Sequence, residues 1–191
     1  MRNLVFVVLL TLVFPQAASS QENKNPRPTV QDLDFLVGTW EITFEIYDTH
    51  APEKGMIVTE QGTQTCEFDL PLRGVPMFIV CKGEVTSDRG RSRSFLESIH
   101  YSRFSKTFER IGIFSNWPAH SFEKVFYHAD ERTLELKGEL SVQDGMLERY
   151  EDIYRFDETY GSYTRRNVAN FSDMPVTEFN LTLAGTGKKI E

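Results

Sequence analysis

Glu97 and His100, with Arg110 a hairpin away, are the nearest this chain comes to an acid–base set. A carboxylate and an imidazole can relay a proton, and a guanidinium beside them can steady developing charge. Residues three apart on a strand point to opposite faces, however, so Glu97 and His100 cannot act together without a bulge. Glu151 and Asp152, adjacent in sequence, diverge for the same reason. The sequence has no Gly-x-Ser-x-Gly elbow, phosphate-binding glycine loop or ordered His/Asp/Ser set. A single interior Glu or His could still act as a general acid or base. The plainer expectation is a buried polar group satisfied by its neighbours.

Other chemistry is weaker. The histidines are His50, His100, His120 and His128, and they show neither His-x-His nor His-x-x-x-His spacing. No metal is therefore expected, and no cofactor. Tyr163 and Arg165, in Tyr163-Thr164-Arg165-Arg166, would share one face of a strand and could form an anion clamp. The segment alternates without a clean apolar face, so which of Arg165 and Arg166 points inward is open.

Cys66 and Cys81 lie in TCEFDLPLRGVPMFIVC, which reads as strand, turn, strand. A two-residue turn at Arg73-Gly74 sets them directly opposite on neighbouring strands, close enough to bridge. The alternative is a pair of free thiols packed as small hydrophobes. The disulfide is favoured, since the turn fixes the register.

These residues are positioned almost wholly by strands. Apolar residues at helical spacing in Val30-Gln31-Asp32-Leu33-Asp34-Phe35-Leu36 predict one short helix capping an end of the fold. Trp40 to Tyr47 then alternates, with Trp40, Ile42, Phe44 and Ile46 on one face. Further strands are predicted at 57–70, 75–85, 94–103, 107–115, 121–128, 132–140, 147–156, 160–168 and 176–183. About ten strands with turn signals between them and no crossover helices predict an all-β, up-and-down antiparallel barrel, closed so that no edge is left free. The expected inward set is Ile42, Phe44, Ile46, Phe68, Met77, Ile79, Leu134, Leu136, Phe179 and Leu181.

The first twenty residues read as a signal peptide: Arg2, an apolar run from Leu4 to Phe14, and small residues Ala17-Ala18-Ser19-Ser20. Residues 21–29 read as a disordered leader, 30–186 as one barrel domain and 187–191 as a tail. The protein is expected to be secreted or periplasmic. Its net charge is -7, which disfavours nucleic acid and anionic membrane surfaces as partners. No later apolar run is long enough to span a bilayer as a helix. Arg89, Arg91 and Arg93 are expected in a solvated hairpin loop. Asn170-Phe171-Ser172 and Asn180-Leu181-Thr182 are sequons that matter only where the host glycosylates.

FLVGTW, the TCEF…RG hairpin and HYSRFSKTFERIGIF together resemble a family of exported bacterial lipocalin-like (calycin-type) barrels of unknown function, from about Asp34 to Arg166. The Gly38-Thr39-Trp40 motif is the sharp part of the likeness, and Tyr101 and Phe108 match its later hairpin. The resemblance implies a barrel in which Trp40 plugs the closed end under an Arg from a late strand, here Arg165 or Arg166. Fatty-acid-binding proteins hold a carboxylate with Arg-x-Tyr on their last strand; this chain has the reverse order, followed by another strand. Nitrobindin-like barrels have a similar start and a C-terminal haem-ligating His, which this chain lacks.

The expected function is binding of a small, mostly apolar molecule, with Trp40, Ile42, Phe44, Met77, Tyr163, Arg165 and Arg166 as candidate contacts. The alternative is a barrel enzyme, a cyclase, isomerase or lyase acting on a hydrophobic or sugar-derived substrate. An enclosed Glu97 or His100 beside Arg110 would favour it. Phe78 and Val80 face away from Cys81 and suggest a homodimer surface.

Overall fold

In the computed structural model the described residues are 27–49, 51–69, 74–116, 120–141, 147–171, 175 and 178–190. The expected signal peptide, His50, Arg73 of the predicted turn and Trp117 lie outside them.

Ten antiparallel strands close into a barrel in which each strand pairs with its neighbours in sequence and β1 pairs with β10. The strands are β1 (Gly38–Tyr47), β2 (Met56–Asp69), β3 (Phe78–Ser87), β4 (Ser92–Ser102), β5 (Thr107–Phe114), β6 (His120–His128), β7 (Thr133–Ser141), β8 (Leu147–Phe156), β9 (Ser162–Phe171) and β10 (Asn180–Lys189). The last strand runs past residue 186 to Lys189, which pairs with Trp40. The expected tail is therefore mostly strand.

One end is closed by the short 3-10 helix Val30–Leu36. Asp32 accepts the Thr29 N–H at its start, at 2.8 Å. Phe35 projects from it into a cluster with Tyr127 at 4.8 Å, Phe156 at 5.0 Å and Tyr160 at 4.8 Å between ring centroids. Trp40 lies beside this cluster and is buried, its indole N–H donating to the Leu36 carbonyl at 2.9 Å.

Interior glycines make room for rings on the facing strand. A Cβ at Gly187 would meet the Tyr163 ring at 2.2 Å, and one at Gly138 would meet the Tyr150 hydroxyl at 2.5 Å. Such close approach is open only to glycine.

Cys66 and Cys81 are paired in register and joined as a disulfide. The expected inward set is right at Ile42, Phe44, Ile79, Leu134 and Leu136, all buried, while Ile46 and Phe68 pack against the core half-buried. Three assignments need correction. Met77 is 40% exposed, because β2–β3 pairing ends at Asp69 and Phe78. Phe179 precedes β10 and is also exposed. Leu181 lines an outer groove with Thr43, Glu45 and Arg166, since a register shift between Leu181 and Leu183 interrupts the alternation of β10.

Asn170 is 1% exposed, and its amide donates to the carbonyls of Pro175 and Glu178. The Asn170 amide of that sequon is thus engaged by backbone carbonyls.

Candidate functional site

Alternation along four strands places charged side chains on the inner face among apolar ones. In β4 Glu97 lies between Phe95 and Ile99. In β5 Arg110 lies between Phe108 and Gly112. In β6 Glu123 precedes Val125, and in β8 Asp152 lies between Tyr150 and Tyr154. All four are buried. The expectation of a mostly apolar interior is corrected at this level of the barrel.

Arg110 organises the group. Its Nε and Nη2 donate to Glu123 at 2.9 Å each, and its Nη1 donates to Glu97 at 2.9 Å. Glu123 also accepts the Tyr150 hydroxyl at 2.8 Å, and Glu97 accepts the Gln64 amide at 3.2 Å. Asp152 lies 3.9 Å from Arg110 Nη2 and is held by Arg165 through Nε at 3.0 Å and Nη2 at 2.5 Å. Burial disfavours the charged Arg110, yet Glu123 and Glu97 hold its pKa well above the ordinary value. Burial pushes the Glu123 carboxyl up, but the Arg110 charge and hydrogen bond hold it below its usual range. The phenols of Tyr154 and Tyr163 are raised chiefly by burial.

Arg165 is thus the inward member of its pair. Arg166 faces the outer groove. Tyr163 and Arg165 do share the inner face, but the Arg165 guanidinium is already engaged by a carboxylate, which weakens the anion-clamp geometry. The expected Trp–Arg stack is replaced. Arg165 lies over Phe44 at 5.2 Å and Tyr154 at 4.9 Å, whereas Lys189 Nζ lies 5.1 Å from the Trp40 ring. Tyr163, one inward position nearer the closed end than Arg165, takes the place beside Trp40 at 5.2 Å.

Glu97 and His100 diverge as expected. His100 is on the outer surface, 3.4 Å from Glu109 and against Phe78. His120 and His128 are exposed, and no cluster of metal-binding side chains occurs among the described residues.

Arg93 departs from the solvated-loop expectation. It turns inward from the start of β4 and donates to Glu60 through Nε at 3.0 Å and Nη2 at 2.5 Å. Its guanidinium carbon lies 6.0, 5.9 and 6.0 Å from the ring centroids of Phe44, Phe95 and Phe114. Sequence reasoning missed Glu60 and Glu123, placed Arg93 in a solvated loop and set Asp152 aside together with Glu151. The available signal was a single charge at an inward-parity position, as in Tyr150-x-Asp152-x-Tyr154-x-Phe156.

Two cavities flank this layer. Toward the closed end, about 30 Å³ is lined by Trp40, the disulfide, Gln64, Glu97, Tyr154 and Tyr163. That is room for a water or two. Toward the end away from the 3-10 helix, about 220 Å³ is lined by Phe44, Ile46, Phe95, Phe114 and Leu183, with Arg93, Glu97, Arg165, Asn167 and Thr182. Glu97 borders both cavities. Of the residues singled out from sequence, Phe44, Arg165 and Glu97 meet at the mouth. Trp40 and Tyr163 line the inner void. Ile42 is core, and Met77 and Arg166 belong to neither.

No protein-family model matches the chain, and no curated protein matches it. Among solved structures it is similar to the redesigned β-barrel mFAP0 bound to DFHBI, with 14% identity and a TM-score of 0.40, over 81% of this chain and 99% of that one. It is similar to EF1p2_mFAP2b bound to DFHBI at 12% identity and a TM-score of 0.41, over 83% and 96%. It is also similar to a fluorescence-activating β-barrel designed de novo, at 14% identity and a TM-score of 0.39, over 82% and 95%. The barrel assignment rests on this chain's own strand pairing, not on these distant likenesses.

Proposed function

We propose that this protein is an exported barrel that binds a small, mostly apolar molecule at its open mouth. The observation that carries the reading is the cavity of about 220 Å³, where Phe44, Ile46, Phe95, Phe114 and Leu183 supply apolar walls around a few fixed polar groups. That combination is the usual character of a ligand site, although drug-sized pockets start at ~300 Å³. The ligand is accordingly small. Among the described residues, the charged layer of Glu97, Arg110, Glu123 and Asp152 stands directly behind the mouth.

Export and kinship with the lipocalin-like family belong to the same reading. The apolar run Leu4 to Phe14 and the Cys66–Cys81 bridge support an oxidising destination. Amino-terminal sequencing of the secreted protein would support export by starting after the small residues that end at Ser20.

A barrel enzyme is the second reading, favoured by Glu97, an enclosed carboxylate beside Arg110 that borders the mouth. Native mass spectrometry of protein purified from its own host tests both. A carrier releases its bound molecule unchanged, whereas an enzyme returns it altered in mass or isomeric form. Protein that is consistently empty overturns both.

A homodimer through outward apolar residues is also part of the proposal. Phe78 and Val80 lie beside Leu96, Ile111, Ile113 and Phe122, which are exposed on β4 to β6. A concentration-independent monomer mass in sedimentation would remove it.

A further inference from the structure

Among the described residues, four buried carboxylates face the barrel interior: Glu60, Glu97, Glu123 and Asp152. Three guanidiniums answer them, those of Arg93, Arg110 and Arg165. The pairing is unequal. Glu60 has Arg93, Asp152 has Arg165, and Glu123 takes two nitrogens of Arg110. Glu97 receives only the remaining Arg110 nitrogen and a neutral amide from Gln64. It is the carboxylate without a cation of its own, and it borders the open cavity.

From this we infer that the mouth takes a compact organic monocation, an ammonium or guanidinium on a small apolar body, whose charge is read by Glu97. The inference rests on the proposal that the mouth is the ligand site and names the class of ligand it would take.

The mouth already holds one cation in the way proposed. Arg93 lies among Phe44, Phe95 and Phe114 with a carboxylate on its N–H groups. Ring faces attract a cation more strongly as water is excluded, and a carboxylate close by adds charge complementarity. A ligand cation beside Glu97 would sit among the same rings and give that carboxylate, which shares Arg110 with Glu123, a cation of its own. An anionic ligand would meet two guanidiniums that are each already forked onto a carboxylate, and would face the Glu97 carboxylate. A wholly neutral ligand would leave Glu97 with its shared cation alone.

The test uses three probes of nearly the same shape: choline, the neutral alcohol 3,3-dimethylbutan-1-ol and the anion 3,3-dimethylbutanoate. Each is titrated into the purified protein by calorimetry, with NMR following the aromatic signals of the mouth. The expected result is that choline binds at least tenfold more tightly than the alcohol and that the anion binds most weakly. Glu97→Gln should abolish the preference for choline over the alcohol while leaving alcohol binding in place. Should Glu97→Gln fail to fold, Phe114→Leu serves instead, and should weaken choline several-fold more than the alcohol. If the alcohol or the anion binds as tightly as choline, the cation inference is wrong and the mouth reading stands. If none of the three perturbs the mouth, both readings fall.

Discussion

Arg110 and Glu123 face each other across β5 and β6 through two N–H···O bonds of 2.9 Å, with side chains 4% and 0% exposed. Removing one partner of such a pair strands a buried charge and costs about 3–5 kcal/mol, far more than the pair's net worth. Arg110→Met is therefore expected to lower unfolding free energy by about that amount in urea denaturation, since Glu97 and Glu123 both lose their cation. Arg110→Met combined with Glu123→Leu should recover part of the loss, because only Glu97 then remains uncompensated. A single variant within about 1 kcal/mol of the parent would show that the pair is not a keystone of the interior.

The same pair sets the acid limb of stability. Glu123 is held below its ordinary value in the folded state despite its burial, so its contribution is present above the unfolded carboxylate value of about 4.3. It is lost as pH falls through the lower folded value. Asp157 behaves alike: the Ser162 hydroxyl, the Thr159 hydroxyl and the N–H groups of Gly161 and Thr159 hold it at about 2. Urea midpoints should fall below about pH 4.3, and Glu123→Gln and Asp157→Asn should each flatten that fall. An unchanged acid slope in both variants would refute the assignment.

Much of the barrel was legible because period-2 alternation and turn chemistry are local. A turn centred on Arg73-Gly74 is enough to predict the register that joins Cys66 to Cys81. The interior charges were harder. Arg110 and Asp152 sit at inward parity in plain view, but which guanidinium meets which carboxylate depends on stagger between strands, which no single strand encodes. Leu181 shows the other limit: a register shift in β10 reverses the face that alternation predicts. Lys189 beside Trp40 depended on how far the last strand runs, and element ends are weakly encoded.

Closure of the barrel also predicts an alkaline transition. The hydroxyls of Tyr127 and Tyr160 are 2.7 Å apart under the 3-10 helix. Burial, then the hydrogen bond to Tyr160, pushes Tyr127 up to about 12. A raised folded value means its contribution is intact below the unfolded tyrosine value of about 10 and is lost as pH rises through about 12. Ultraviolet titration of phenolate should show a step near pH 12 that Tyr160→Phe shifts downward and Tyr127→Phe removes, leaving in place the later ionisation of the interior Tyr150, Tyr154 and Tyr163, which burial also raises. If neither variant alters that step, the pair does not govern it.

The bridge between Cys66 and Cys81 closes a loop with a sequence separation of 15, for which the chain-entropy model gives about 3 kcal/mol. Replacing both cysteines by Ala should cost about that much in urea denaturation and leave the circular dichroism of the native sheet in place. Because both cysteines border the inner void, a smaller loss would point to repacking there, and no loss at all would contradict a stabilising role.

Lys189 is where the chain's last strand meets its first. Its ammonium lies 5.1 Å from the Trp40 ring and donates to the Phe35 carbonyl at 3.1 Å, so one side chain ties β10, the plug and the capping helix together. Lys189→Met keeps the apolar stem and removes the charge, and a partly desolvated cation–π contact is worth about 1–2 kcal/mol. In a Trp117→Phe background, which leaves Trp40 as the sole indole, that variant should shift the emission and lower stability by about that amount. Deleting 188–191 should cost more, because it also removes the backbone pairing of β10 with Trp40 and Glu41. If the deletion and Lys189→Met prove equal, the strand pairing contributes nothing there. If neither alters Trp40 emission, the lysine does not close the barrel as the geometry requires.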